Sequence, residues 1–153
     1  MEPELAGALK QFFDAQKKLN ELGVIRSRDY VGDIGRYICR LAYSLELPKG
    51  RRAASYDGMI GPKRVAVRMN NCPTGTPVRL AEPLDFDELI VVLGPGCFLR
   101  PPGVAGDFIC YRFSPDEVRA RFRATAGGYI GGRDTFARGY DKVVDLTPRQ
   151  AGP

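Results

Sequence analysis

The most informative absence in this chain of 153 residues is histidine, which does not occur at all. Ser-His-Asp and Cys-His catalysis, imidazole general bases and histidine-containing zinc sites are therefore excluded unless a partner supplies the residue. Long hydrophobic runs are missing too, since no stretch approaches the roughly 18 apolar residues that a membrane-spanning helix requires. We therefore expect a globular chain with no membrane partner.

Two further absences concern the compartment of the protein. The four cysteines contain no C-x2-C pair, so the sequence supports neither a zinc ribbon nor a thioredoxin-like motif. We expect reduced and mostly buried thiols. The first five residues have neither the basic nor the apolar region of a secretory signal, and we therefore expect a cytoplasmic location.

Positive charge is concentrated in the middle of the chain. The sequence has 23 basic and 18 acidic residues, a net charge of +5, whereas residues 26–79 alone hold eleven basic and four acidic side chains. Seventeen of the basic residues are arginines, which suit bidentate contact with phosphate. This regional excess favours an anionic partner, with DNA or RNA expected, over the simpler interpretation of a solvated basic face.

Helices are predicted before strands. The spacing of apolar residues predicts a helix over residues 4–22 that ends at Gly23. A second helix is expected from Asp29, a good N-cap, to about Leu45, where a proline follows. Its core-facing stripe is predicted to consist of Val31, Ile34, Ile38, Leu41 and Leu45.

The later chain has the pattern of strands. Residues 55–60 and 63–70 predict a β-hairpin, and the continuously apolar residues 88–93 predict a central strand. Residues 97–100 and 108–113 are further strand candidates, and Ser114-Pro-Asp-Glu predicts the start of a third helix. The five glycines of residues 126–139 indicate a mobile or ligand-contacting loop, followed at residues 141–144 by a short strand or an extended tail.

These elements predict one α+β domain over residues 1–153. Residues 1–28 would form the N-terminal helix and its connection, and residues 29–125 the core. Residues 126–153 would form the glycine-rich loop and the C-terminal tail.

A candidate site combines the second helix with the hairpin. Asp33 and Arg36 share one helical face, Asp57 precedes the hairpin turn, and Ala66 and Arg68 follow it. A carboxylate on one strand that faces an i, i+2 pair on the next is the geometry of a nuclease metal site. Mg²⁺ requires hard oxygen ligands there, and the attacking water needs a nearby cation.

The same segments resemble the PD-(D/E)XK, or restriction-endonuclease-like, superfamily. The motifs are Gly32-Asp-Ile-Gly-Arg-Tyr-Ile, Ser55-Tyr-Asp-Gly, Lys63-Arg-Val-Ala-Val-Arg-Met-Asn and Phe86-Asp-Glu-Leu-Ile-Val-Val-Leu. The resemblance covers about residues 30–94. It implies a central mixed sheet flanked by helices, with N-terminal helices before the hairpin, and Mg²⁺-dependent phosphodiester hydrolysis.

Three departures from that family pattern affect the catalytic residues. Arg36 stands where the family has Glu, Ala66 where it has Glu or Gln, and Arg68 where it has the catalytic Lys. Asp57 alone is retained. One carboxylate does not readily hold Mg²⁺, and an arginine replaces lysine poorly beside a metal-bound water because it does not readily lose its proton.

Three hypotheses follow. The first is a pseudoenzyme without a cofactor that binds DNA or RNA through Arg36, Arg40, Arg51, Arg52, Arg64 and Arg68. The second is an active nuclease in which Asp57 and Asp33 hold Mg²⁺ and Asp57 and Arg68 are catalytic. The third is a protein-interaction module of a phage, mobile element or assembly, with a homodimer or another protein as partner. The alternative to a catalytic role for Asp57 is a structural one, because Asp-Gly is a common turn pair.

Overall fold

The computed structural model describes residues 1–49 and 55–147, in which two helices precede the first strand, as predicted. The helices are α1 (Pro3–Glu21), α2 (Tyr30–Tyr43) and α3 (Pro115–Arg121). The strands are β1 (Gly58–Ile60), β2 (Lys63–Asn70), β3 (Val78–Ala81), β4 (Glu88–Leu93), β5 (Phe108–Phe113), β6 (Arg123–Thr125), β7 (Gly128–Gly131) and β8 (Lys142–Val144).

A five-stranded mixed sheet follows the N-terminal helices, in the order β1-β2-β4-β5-β8. Strands β2 and β4 are parallel and pair from Val65–Glu88 to Asn70–Leu93, whereas the other neighbours are antiparallel. Every residue of β4 is buried, as predicted for a central strand. The predicted α+β class, the hairpin β1–β2 and the mixed sheet are confirmed.

A second, three-stranded antiparallel sheet has the order β3-β7-β6 and was not predicted. The prediction of a loop throughout residues 126–139 is wrong, because Gly128–Gly131 forms β7. Glycine permits this pairing, since a Cβ at Gly128 would collide with the carbonyl oxygen of Leu80 in β3. The strand predicted at residues 97–100 is also wrong, because turn hydrogen bonds link Cys97 to Gly94 and Arg100 to Cys97.

The core forms two layers, one on each face of the five-stranded sheet. On one face α2 contributes Ile38 and Cys39, which pack against a cluster that includes Val65, Val67 and Ile90. The other face packs against the second sheet and α3, in a larger cluster that includes Ala66, Leu80, Leu89, Val91, Phe122 and Phe136. Helix α2 and the second sheet therefore lie on opposite faces of the central sheet.

Helix α2 begins where the sequence predicts, but its buried stripe is narrower. The Asp29 side chain caps the helix by accepting a hydrogen bond from the backbone N–H of Gly32. Val31 and Leu41 are 46% and 60% exposed, so their predicted place in the core is wrong. The contact with β2 is close instead at Gly35, where a Cβ would lie 2.7 Å from the Cβ of Met69.

Helix α1 forms as predicted and is followed by Gly23 in the left-handed conformation, but none of its residues is buried. Its apolar residues Leu5, Phe12 and Phe13 are each more than half exposed. No helix among the described residues is long and apolar enough to cross a membrane. All four cysteines are free, and Cys72 alone of them is not buried.

Candidate functional site

The start of α2 and the edge of β2 bring together the Arg36 cluster, which consists of Asp29, Asp33, Arg36, Asp57 and Arg68. Three of these residues, Asp29, Arg36 and Arg68, line a cleft of about 310 Å³ together with residues of β2. The close approach of α2 to β2 at Gly35 places the next residue, Arg36, within reach of the hairpin. The cluster therefore depends on packing between helix and sheet.

Asp57 immediately precedes β1 and is not part of the hairpin turn. Strand β1 pairs with β2 only as far as Gly58–Val65. Beyond that point the Asp57 carboxylate accepts a hydrogen bond of 2.7 Å from the backbone N–H of Val67. The Asp57 side chain thus takes the place of a neighbouring strand as the hydrogen-bond partner of β2. The Asp57 side chain is fully buried. Its other oxygen lies 3.2 Å from Nη1 of Arg36.

Asp33 joins α2 to the connection that precedes it. One of its oxygens accepts hydrogen bonds from the backbone N–H groups of Arg26 and Ser27, each at 2.7 Å, and from the Ser27 hydroxyl at 3.0 Å. The other oxygen accepts a hydrogen bond of 2.7 Å from Nη2 of Arg36. Burial raises the pKa of Asp33, but the Arg36 and Arg26 hydrogen bonds outweigh it and hold the pKa below its usual value. Asp33 is thus an ionised anchor of the connection between α1 and α2.

Arg36 places a fixed positive charge between the carboxylates. Its side chain is only 15% exposed and forms ion pairs with Asp33 and Asp57. A carboxylate oxygen of Asp29 lies 3.5 Å from Nη2 of Arg36 and forms a third, longer ion pair. Burial lowers the pKa of the Arg36 guanidinium, but the hydrogen bond to Asp33 and the charge of Asp57 outweigh this effect. The pKa of Arg36 therefore lies above its usual value. The guanidinium therefore stays protonated and offsets part of the negative charge of the carboxylates in this cluster.

The donor set of the Arg36 cluster does not fit Mg²⁺. A metal ion at Asp33 and Asp57 would meet the charge of Arg36, which cannot be removed by deprotonation. Their oxygens already accept hydrogen bonds from backbone N–H groups and from Arg36. Within residues 1–49 and 55–147, moreover, no three acidic or cysteine side chains are grouped to hold a metal ion.

Arg68 lies at the edge of the cluster, and Ala66 lies outside it. Nη1 of Arg68 donates to the backbone carbonyl of Val67 at 2.9 Å and lies 3.7 Å from an Asp57 oxygen. Ala66 is fully buried in the apolar layer with Leu89 on the opposite face of the sheet. The position that matches the Glu or Gln of the family pattern therefore does not reach the cleft.

The other arginines that the sequence singled out are dispersed. Arg64 is ion-paired with Asp85 at 2.9 Å and with Asp87 at 3.3 Å. Arg40 is exposed and forms no ion pair with the residues that the structure describes. Arg51 and Arg52 lie outside the described residues. The structure thus brings Asp33, Arg36, Asp57 and Arg68 together and leaves Arg40 and Arg64 outside the cluster.

Sequence reasoning missed a second cleft, of about 590 Å³, on the three-stranded sheet. Its lining includes Arg79, Arg121, Arg123 and Arg133. Residues 80–153 hold nine basic and ten acidic side chains, so a count of charge along the chain shows nothing there. The usable signal was the clustering of arginines near the glycine-rich segment, which becomes meaningful only when β3, β6 and β7 pair.

Comparison with known proteins adds no family. A scan against protein-family models finds none that matches this chain, and a search of curated proteins finds no significant match. The resemblance to the PD-(D/E)XK superfamily therefore stays a prediction that depends on the motifs themselves.

Proposed function

We propose that this chain is a nucleic-acid-binding protein of restriction-endonuclease-like type that has lost metal-dependent nuclease activity. One observation carries the loss of activity: the Arg36 guanidinium lies between Asp33 and Asp57, with Nη2 2.7 Å from Asp33 and Nη1 3.2 Å from Asp57. It places one positive charge between the two carboxylates, where a divalent cation would otherwise lie. Unlike a metal ion, a guanidinium has no water ligand to activate.

Binding of DNA or RNA is supported by the net charge of +5 and by arginines that carboxylates do not neutralise. Arg40 is one, whereas Arg36 and Arg64 are held in ion pairs and Arg68 shares the cluster with Asp57. We therefore assign phosphate contact within the predicted set to Arg40 first and Arg68 second. A cytoplasmic location belongs to the same proposal and is supported by the four free cysteines.

The experiment measures binding and cleavage in the same samples. The protein is titrated into labelled single-stranded and double-stranded DNA and RNA, with Mg²⁺ or Mn²⁺ present, and the nucleic acid is then analysed by denaturing electrophoresis. We expect salt-sensitive binding and intact nucleic acid. Binding that is absent even at low salt contradicts the proposal.

Cleavage that Asp57→Ala abolishes would instead establish the alternative, an active nuclease in which Asp57 and Asp33 hold Mg²⁺. Because Asp57 is buried, that variant is accompanied by Arg68→Ala, whose side chain is 39% exposed, and circular dichroism checks that both are folded. Cleavage that survives both substitutions would assign the activity to another site or to a contaminant.

The exposed face of α1 favours a second candidate, self-association of two copies through this helix. Leu5, Leu9, Phe12 and Leu19 keep a coiled-coil spacing and are not buried. Glu2 at the N-cap and Glu4 lie at one end of α1, and Lys17, Lys18 and Glu21 lie at the other, so antiparallel pairing would place the acidic end of one copy beside the lysines of the other. Light scattering tests this. We expect a dimer that Leu5→Gln with Leu9→Gln converts to a monomer, and a monomeric wild-type protein contradicts it.

A further inference from the structure

The cleft on the three-stranded sheet, here called the arginine cleft, is lined by arginines from separate segments of the chain. Arg79 lies in β3, Arg123 in β6, Arg121 at the end of α3 and Arg133 after β7. Asp134 is the one acidic residue among its described lining. Four guanidinium groups against one carboxylate make this cleft strongly positive, whereas the Arg36 cluster combines two guanidinium groups with three carboxylates.

The strand register puts two of these arginines in one row. Arg79 of β3 and Arg123 of β6 both pair with Ile130 of the central strand β7. Directly opposed residues of antiparallel strands project from the same face of the sheet. Arg79 and Arg123 therefore flank Ile130 on one face, two strand spacings or about 10 Å apart. A ligand that lies across Ile130 can be contacted by both.

These two arginines are available to a ligand. Arg79 and Arg123 are exposed, and neither forms an ion pair or side-chain hydrogen bond with the part of the chain that the structure describes. Two exposed arginines on one sheet face repel each other, and a bound anion reduces that repulsion. The row thus has the charge and the free donors that phosphate binding requires.

The other two arginines are fixed in place. Nη2 of Arg121 donates to the backbone carbonyls of Thr135 and Arg138, each at 3.0 Å, so Arg121 holds the segment after β7. The Arg133 guanidinium lies 4.4 Å from the ring centre of Phe98. Phe98 is 42% exposed as a residue, so an aromatic side chain lies at the surface beside the positive charge.

We propose that the arginine cleft binds the phosphodiester backbone of a single-stranded nucleic acid, with Arg79 and Arg123 as the phosphate contacts. This inference rests on the proposed function and names the surface that performs it. A positive groove next to an exposed aromatic ring is the combination that binds single strands with little sequence preference, because every base can stack on a ring. Phe98 with Arg133 forms the side of the site that faces the bases.

The test compares the wild-type protein with the double variant Arg79→Ala/Arg123→Ala by fluorescence anisotropy with a labelled oligothymidine over a range of salt concentrations. We expect weaker binding and a log-log salt slope that is less steep by about 0.7 for each arginine, or about 1.4 together. Both side chains are exposed and unpaired, so the variant should unfold at the wild-type temperature.

The matched control is Arg28→Ala/Arg138→Ala, which removes the same charge from two exposed arginines outside the cleft lining that, like Arg79 and Arg123, form no ion pair with the described residues. We expect it to bind almost as wild type does. Equal weakening in both double variants would overturn the cleft and indicate only a net-charge effect. Wild-type binding that Arg79→Ala/Arg123→Ala leaves unchanged would overturn the cleft while the proposed function stands. Absence of wild-type binding would overturn both.

A second measurement follows the methyl signal of Ile130 by NMR during titration. We expect the signal to shift with oligothymidine and much less with inorganic phosphate at the same charge concentration. A shift with inorganic phosphate alone would overturn the proposal in favour of a free anion. A shift that occurs only with duplex DNA would overturn the assignment to single strands.

Discussion

Arg36 carries a charge into a largely enclosed position, which is stable because two carboxylates are held there with it. Asp57 is fully buried and Arg36 is 15% exposed, so removal of either partner leaves a poorly solvated charge. The cost of breaking such a pair comes mainly from the charge left behind. At this scale, a single arginine side chain joins Asp33 and Asp57 in one ion-pair network.

The Arg36–Asp57 pair is expected to show strong coupling in a double-mutant cycle. Asp57→Asn and Arg36→Met should each lower the free energy of unfolding by about 3 kcal/mol, and the double variant should lose at least about 1 kcal/mol less than their sum. Urea denaturation measures all four proteins. Additive losses would show that Arg36 and Asp57 contribute independently and would contradict the network.

Asp33 predicts a pH dependence of stability. Its pKa in the folded chain lies below the usual value of 3.8, so the ionised form favours folding. This stabilisation is fully present above that usual value and is lost as pH falls through the folded pKa. The free energy of unfolding of wild type should therefore exceed that of Asp33→Asn near neutral pH, and the gap should narrow below about pH 4. A gap independent of pH would contradict this role for the carboxylate.

At the scale of elements, α1 and α2 have similar apolar spacing and different surroundings. Helix α2 packs Ile38 against the sheet, where it is 2% exposed, whereas Leu5 of α1 is 52% exposed. The spacing of apolar residues predicts both helices, but it cannot show whether another element covers a given face. The exposure of the apolar face of α1 was therefore not predictable from periodicity.

The difference between the two helices should appear in stability. Ile38→Ala should lower the free energy of unfolding by about 2–5 kcal/mol, because it leaves a cavity between α2 and the sheet. Leu5→Ala, measured at a concentration where the chain is monomeric, should change it by about 0.5 kcal/mol or less. Thermal and urea unfolding check both variants. A large loss in Leu5→Ala would mean that α1 packs against the domain.

The elements that the sequence predicts well are those with local signals. Asp29 and Ser114 are side-chain caps, and the hairpin β1–β2 closes over two residues. Strands β3 and β7 carry no such signal, because each has only four residues and β7 also lies among glycines. Their pairing joins segments far apart in the chain, so only the tertiary fold reveals the second sheet.

In the folded molecule, the positive charge is distributed differently from what a count of basic and acidic residues along the sequence indicates. The excess in residues 26–79 is partly cancelled in space, since Arg64 is paired with Asp85 and Asp87 from the segment before β4. The near-neutral C-terminal half, in contrast, supplies three arginines to the arginine cleft. The Arg36 cluster could be anticipated because a helix and a hairpin bring it together. The arginine cleft could not, because it requires the unpredicted sheet.

We propose that this chain binds nucleic acid and does not cut it. The most direct measurement is a salt-dependent anisotropy titration of wild-type protein with a labelled single-stranded oligonucleotide in Mg²⁺, followed by denaturing electrophoresis of the same samples. We expect binding that weakens steeply as salt rises and an oligonucleotide that is recovered at full length. No binding at low salt, or cleavage products that form in proportion to the protein and disappear in Asp57→Ala, would contradict it.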